Sequence, residues 1–128
     1  MDDLKRRIAL ARRAHATLVN ALREPSSDIV RDAAIQRFEY SFETAWKAVQ
    51  RHLREKEGTE AASPAGAVRA SHSLDLLDEA SARLALEMIG DRNLTVHTYN
   101  EALAERIFSA LPRYAELLER WVSALERV

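Results

Sequence analysis

Apolar residues recur at gaps of three and four over most of this 128-residue chain, and this repeat limits its fold more than any other feature. Such spacing places side chains on one face of an α-helix, and the longest stripe runs from Leu103 to Val128. No segment shows the alternating pattern of a half-buried strand. The chain has only three glycines and three prolines, a composition typical of long helices joined by few turns. We therefore predict an all-α protein.

Turn and capping residues divide the stripes into four main helices and one short helix. The main helices are predicted over about residues 2–23, 29–57, 78–90 and 98–128, and the short one over about residues 64–72. Gly90 marks a point where a helix ends or bends, and Pro112 is expected to kink the last helix because proline lacks a backbone donor. These elements predict an antiparallel up-down helical bundle that forms a single domain over residues 1–128.

Composition excludes several classes of function. The chain has no cysteine, which removes disulfides, thiol nucleophiles and cysteine-ligated metals, and fits a reducing cytoplasm. The spacings of a metal site and of a glycine-rich phosphate loop are absent, so neither a metal nor a cofactor is expected. The first seven residues lack the apolar core of a signal peptide, and no apolar run approaches the ~20 residues of a membrane span. With a net charge of −1, any contact with nucleic acid needs a local patch.

The densest group of chemically capable side chains lies between the last two main helices, from Asp91 to Asn100. Within it, Arg92, His97 and Tyr99 follow one another at spacings of five and two residues. An arginine followed by a histidine at this distance is common by chance, but the added tyrosine makes the pattern selective. The four residues from Thr98 match a capping box, which would place His97 just before the last helix.

The residues alone leave two interpretations of this group open. In one, Arg92 is a solvated surface residue, His97 satisfies a loop carbonyl and Tyr99 packs at the start of a helix. In the other, the helix N-terminus binds a phosphate, His97 acts as general base, and Arg92 stabilises charge that develops on the phosphate. Asp91 and Asn93 then support binding, Asn93 by orienting a group or by hydrogen-bonding a ribose. This set can cleave RNA without a metal.

A homodimer is predicted on two grounds. Each chain supplies one histidine to the motif, so pairing two copies in one cleft would supply a base and an acid together. The last helix also has a long apolar stripe, and the second helix presents Tyr40, Trp46 and Val49 on neighbouring faces. Bundles of this size with so much apolar surface often form dimers. Tyr99 is either a packing residue or an acceptor for a nucleotidyl group, whose bulk and charge would block such a cleft.

Two segments resemble a known family. Residues 92–101, RNLTVHTYNE, closely resemble the signature of HEPN-domain proteins, in the Arg-x4-His-x-Tyr form of toxins encoded beside minimal nucleotidyltransferases. Residues 36–47, QRFEYSFETAWK, resemble the second helix of the nucleotidyltransferase substrate-binding subfamily, and the Ser63-Pro64 helix start fits it as well. The chain departs from the pattern at residues 71–75, where a glycine turn is expected.

The resemblance implies a helical bundle that forms a homodimer and pairs with a small nucleotidyltransferase, as a heterotetramer or a larger assembly. In the toxin branch, the positions of Arg92 and His97 carry metal-independent ribonuclease activity in a cleft at the dimer interface. The partner antitoxin silences such a toxin by attaching AMP to the position of Tyr99. In the alternative branch, the protein is a non-catalytic, substrate-binding subunit of a two-component nucleotidyltransferase.

Overall fold

Five α-helices make up the computed structural model, which describes residues 2–127. They are α1, Asp3–Leu22; α2, Asp28–Glu57; α3, Pro64–Ser73; α4, Glu79–Leu94; and α5, Glu101–Glu126. A short 3-10 helix, Thr95–His97, joins α4 to α5. Residues 2–127 contain no strand, so the prediction of an all-α bundle with one short helix is confirmed. Val128, which the sequence adds to the last stripe, lies outside the described residues.

Capping residues begin α2, α3 and α4, as predicted. Ser27, Ser63 and Asp78 precede α2, α3 and α4, and each side chain accepts a hydrogen bond from the backbone N–H three residues later. Gly58 ends α2 with a φ of 61°, a left-handed conformation that glycine adopts without a steric penalty. Asp75 follows α3 with a φ of 60°. An aspartate therefore makes the turn where the resemblance predicts a glycine, since aspartate tolerates this conformation better than most residues.

The centre of the bundle is formed by α2 and α5, which pack side by side and run in the same direction. The ring of Phe38 on α2 stacks on that of Tyr114 on α5, with 5.6 Å between centroids. Helix α1 packs antiparallel to both, and His15 on α1 lies in that seam, with its Nε2 at 2.8 Å from the carbonyl oxygen of Ala115. Helix α4 covers α5 on the other side, and α3 packs between α2 and α4. The bundle thus brings the C-terminal end of α4 next to α5.

Neither Gly90 nor Pro112 ends its helix. Helix α4 passes through Gly90 and ends at Leu94, and α5 passes through Pro112. A Cβ atom added at Gly90 would meet nothing within 4 Å. Arg92 is therefore part of a helix rather than of a loop at a corner. Within residues 2–127, no helix is long and apolar enough to cross a membrane.

Candidate functional site

The motif begins inside the last turn of α4. Asp91 is buried there with 6% of its surface exposed, Arg92 is half-buried, and Asn93 is exposed. The three side chains thus point in different directions around the helix, as a spacing of 100° per residue requires. Asn93 lies on the outer surface, and Asp91 faces the bundle. Arg92 lies between them, at the border of the core and the surface.

The guanidinium of Arg92 has few partners within the described part of the chain. Its Nη1 lies 3.5 Å from the Oγ1 of Thr95, and its buried Nε has no hydrogen-bond partner. Thr95 in turn donates from Oγ1 to the carbonyl oxygen of Arg92 at 2.8 Å. Among residues 2–127, no carboxylate forms a salt bridge with Arg92. A buried donor without a partner costs free energy, which an anionic ligand on this guanidinium would recover.

Asp91 connects α4 to the centre of the bundle. Its Oδ2 accepts a hydrogen bond from the hydroxyl of Tyr114 at 2.5 Å, and its Oδ1 accepts one from Nη2 of Arg106 at 3.0 Å. Burial, and then the hydrogen bond to Asp91, raise the pKa of the Tyr114 phenol, so this phenol remains a donor at neutral pH. Both oxygens of Asp91 are therefore engaged by α5. The structure places Asp91 on the side of α4 that faces the bundle, behind the exposed part of the motif.

His97 and Tyr99 lie together on the surface beyond α4. The Tyr99 hydroxyl is 3.5 Å from Nδ1 of His97, and the two rings meet edge to face with centroids 6.0 Å apart. Tyr99 exposes 85% of its surface, and the neighbouring Val96 exposes 68%. His97 is exposed as well. The structure therefore brings His97 and Tyr99 into contact, whereas no hydrogen bond joins Arg92 to His97 within residues 2–127.

The predicted capping box at Thr98 is wrong. The N-cap of α5 is Asn100, whose Oδ1 accepts a hydrogen bond from the backbone N–H of Leu103 at 3.1 Å. Thr98 instead donates from Oγ1 to the carbonyl oxygen of Thr95 at 2.9 Å, because the chain first forms the 3-10 helix. His97 therefore ends the 3-10 helix and does not lie directly before α5. The helix N-terminus that binds a phosphate in one of the two interpretations therefore lies two residues further along the chain.

An ion-pair cluster around Arg31 was not predicted. Arg31 is buried at the start of α2, and its carboxylate partners lie on α2 and on the first turns of α5. These partners are Asp28, Asp32, Glu101 and Glu105. Hydrogen bonds to Glu105 and Asp32 raise the pKa of the guanidinium. Arg31 thus has its charge neutralised by carboxylates of the same chain.

Part of the apolar surface that suggested a dimer is buried within one chain. Trp46 and Val49 expose 7% and 0% of their surface, because α2 is central in the bundle. Tyr40 remains 40% exposed, and its hydroxyl lies 2.8 Å from the Oγ1 of Thr17. Two of the three residues cited for a dimer face are therefore core residues. The most exposed apolar groups of the motif are instead Val96 and Tyr99.

The sequence of this chain matches one family of known proteins over almost its whole length. The family model described as "nucleotidyltransferase substrate binding protein like" matches residues 6–127. The chain belongs to this family. A comparison with curated proteins gives no match.

The fold has close structural relatives. A crystal structure from Thermus thermophilus shares 56% sequence identity with this chain and has a TM-score of 0.86. The match covers 90% of this chain and 98% of the Thermus thermophilus chain. The HEPN toxin of Shewanella oneidensis, tri-AMPylated and in complex with an MNT antitoxin, matches with 16% identity, 100% coverage of both chains and a TM-score of 0.80. HI0074 from Haemophilus influenzae, described as having the fold of a substrate-binding domain of a nucleotidyltransferase, matches with 18% identity, coverage of 93% and 98%, and a TM-score of 0.79. The last two likenesses show the fold.

Sequence reasoning found the exposed motif residues but missed those that hold them. Tyr114 belongs to the apolar stripe of α5, so the sequence indicates a core residue and does not indicate which group its hydroxyl binds. Thr95 and Arg106 have no distinguishing pattern of their own. An aspartate near the C-terminal end of a helix is unfavourable unless it has a partner. This signal was not visible at Asp91, because the predicted helix ended at about residue 90.

Proposed function

We propose that this chain is a HEPN-type toxin: a metal-independent endoribonuclease that acts as a homodimer and is neutralised by a partner nucleotidyltransferase. Arg92 binds the scissile phosphate and stabilises charge that develops on it. His97 transfers the proton between the 2′-hydroxyl, the leaving 5′-oxygen and solvent. Asn93 contacts the RNA, and Asp91 supports Arg92. Tyr99 is the residue to which the partner attaches AMP.

The observation that carries this proposal is the half-buried guanidinium of Arg92, which no carboxylate within residues 2–127 binds. A guanidinium that the chain itself does not neutralise is suited to a phosphate, which accepts hydrogen bonds through several oxygens at once. The exposure of His97 and Asn93 beside it allows a strand of RNA to reach the same surface.

The position of Tyr99 supports its role as the modified residue. Its side chain is 85% exposed, and its hydroxyl is within reach of the imidazole of His97. A nucleotidyl group on this oxygen would place an anion beside His97 and fill the space that a substrate phosphate needs. Modification there would therefore block the cleft through both bulk and charge. The tri-AMPylated state of the Shewanella oneidensis toxin is consistent with this form of control.

The second candidate is a non-catalytic subunit that presents a substrate to a nucleotidyltransferase. The name of the matching family and the description of the Haemophilus influenzae structure favour it. In that case Arg92 would hold an anionic substrate, and His97 would transfer no proton. The two candidates therefore differ in the effect of removing the imidazole.

A cleavage assay separates them. Unmodified protein, with Tyr99 verified as unmodified by mass spectrometry, is incubated with total cellular RNA in EDTA. We expect cleavage by the wild type, and a loss of at least about 100-fold in His97→Ala and Arg92→Ala. His72→Ala is the matched control, because His72 is another exposed histidine and lies on α3. If wild type and His97→Ala are equally inert, the nuclease proposal fails and the substrate-binding subunit is favoured.

A further inference from the structure

Behind the exposed motif lies a polar contact between α4 and α5 in the interior of the bundle. The buried carboxylate of Asp91 accepts hydrogen bonds from Tyr114 and Arg106, and Tyr114 is itself completely buried. Tyr114 is fixed from its other side by the stacked ring of Phe38. These contacts connect Phe38, at the centre of the bundle, through Tyr114 to Asp91, which directly precedes Arg92. No exposed side chain of the motif takes part in it.

Stability alone is a poor explanation for these residues. An aspartate is a weak helix former, and a negative charge near the C-terminal end of α4 opposes the helix dipole. A buried carboxylate also loses its hydration, and a pair of apolar side chains of similar size would often stabilise a core as well or better. Hydrogen bonds differ from apolar contacts in that they require particular distances and angles. The contact of Asp91 with Tyr114 therefore fixes the rotation and height of the last turn of α4.

The last turn of α4 determines where the guanidinium of Arg92 lies. Thr95, one turn later, is also buried, and its hydroxyl contacts both the carbonyl oxygen and Nη1 of Arg92. The buried Nε and the 3.5 Å contact of Nη1 show a side chain held along the protein surface. A shift of about 1 Å in such a group can reduce a rate by about two orders of magnitude.

We propose that Tyr114 is a positioning residue: through Asp91 it holds the last turn of α4 so that the Arg92 guanidinium is directed toward the scissile phosphate. This inference rests on the nuclease function proposed above. Tyr114 does not touch the RNA, and it takes no part in proton transfer. Arg106, which is 55% exposed, contributes less to the positioning because solvent screens its charge.

Tyr114→Phe is the informative variant, because it removes the hydroxyl and retains the ring that stacks on Phe38. Ser71→Ala is the matched control. It also removes one buried side-chain hydrogen bond to α5, that from Nε1 of Trp121 to Oγ of Ser71 at 2.9 Å, but on α3 rather than α4. Thermal unfolding of both variants verifies that they are folded. Asp91→Asn, which retains an acceptor for Tyr114, serves as a second variant.

Two measurements are made on each protein. Steady-state cleavage of a fluorescent single-stranded RNA in EDTA gives kcat and KM. Nitrogen-15 NMR of arginine Nε–H groups, with the Arg92 signal assigned by its loss in Arg92→Lys, reports the position and solvent exchange of this donor without any reaction. In Tyr114→Phe we expect kcat to fall about 10- to 100-fold with KM within about threefold of wild type. The Arg92 signal should shift and exchange faster, whereas Ser71→Ala should match wild type in both measurements.

An unchanged Arg92 signal in Tyr114→Phe would overturn the inference, as would equal losses of kcat in Tyr114→Phe and Ser71→Ala. Failure of the nuclease proposal is recognised separately, because it appears as an absence of cleavage by wild type. In that event the NMR comparison still decides whether Tyr114 positions Arg92. For Asp91→Asn we expect values of kcat and of the Arg92 signal between those of wild type and Tyr114→Phe. If both variants have the kcat and the Arg92 signal of wild type, the contact between Asp91 and Tyr114 does not position Arg92.

Discussion

At the scale of single residues, Arg92 differs from the other arginines by its unsatisfied donor rather than by its charge. Within residues 2–127, eight arginines bind carboxylates of the chain, and these are Arg6, Arg7, Arg12, Arg31, Arg51, Arg54, Arg83 and Arg106. Among residues 2–127, Arg92 is the only arginine with a buried donor that lacks a partner. Such a group costs stability in the free protein. The proposed function gives this residue a role, because its guanidinium then binds a phosphate.

His52 is a second residue whose burial has a measurable consequence. It is completely buried on α2, and neither ring nitrogen has a hydrogen-bond partner. Burial lowers the pKa of this imidazole, against a smaller opposite effect of Glu57. The native protein therefore holds His52 neutral at a pH where the unfolded chain binds a proton. In the unfolded chain, the pKa of this imidazole is about 6.5. The shift has no effect on the free energy of unfolding well above that pH, and it lowers the free energy of unfolding as the pH falls below it.

We expect His52→Leu to raise the free energy of unfolding by about 1–2 kcal/mol at pH 7, because leucine leaves no buried polar group without a partner. The variant should also lose less stability than wild type between pH 7 and pH 5. In this range, His52 lowers the free energy of unfolding of wild type by up to about 1.4 kcal/mol per pH unit. Urea unfolding at both pH values measures the difference. His72→Leu is the control, and an equal pH dependence in wild type and His52→Leu would refute the account.

At the scale of helices, periodicity and capping chemistry were sufficient to predict α1, α2, α3 and the start of α4 closely. The apolar stripes of α2 and α5 became the core because both helices are central, and Ser63-Pro64 opened α3 as expected. The connection from α4 to α5 was predicted less well. The pattern at Thr98 satisfied a capping box, but Asn100 is an equally good cap and begins α5. A local pattern does not decide between two adjacent caps, since the packing of the helices determines where α5 can start.

Substitutions at the two residues test this assignment of the cap. We expect Asn100→Ala to lower the free energy of unfolding by about 1 kcal/mol, because it leaves the backbone N–H of Leu103 without its partner. Thr98→Ala removes only a hydroxyl that donates to the carbonyl oxygen of Thr95, and it should cost less than about half as much. Urea denaturation of the two variants measures both values. A larger loss for Thr98→Ala would show that α5 begins earlier in solution.

The candidate site divides in the same way between what a sequence can and cannot reveal. Arg92, His97 and Tyr99 were predicted because their chemistry and spacing are visible in the chain, and the structure places the last two in contact. The support from Asp91 and Tyr114 connects residues 23 positions apart. Such a contact depends on the antiparallel packing of α4 on α5, which no local pattern contains.

At the scale of the whole molecule, the charge balance restricts how RNA binds. The net charge is −1, and the carboxylates around Arg31 lie at the start of α2 and α5. The RNA substrate proposed above would therefore not be attracted by the molecule as a whole, and its binding would rely on a few local contacts. Two motifs in one dimer would double the cationic groups and the imidazoles in a single cleft. This arrangement is part of the proposed function, and it accounts for the exposed Val96 and Tyr99 beside the motif.

The end groups of the RNA products test the central claim most directly. Attack by a 2′-hydroxyl on its own phosphodiester, with His97 transferring protons and Arg92 stabilising the phosphate, leaves a 2′,3′-cyclic phosphate on one product and a 5′-hydroxyl on the other. Mass spectrometry of products formed in EDTA by protein with unmodified Tyr99 identifies these groups. The account predicts both end groups with wild type and their absence with His97→Ala. Products with a 5′-phosphate, or identical products from His97→Ala, would contradict it.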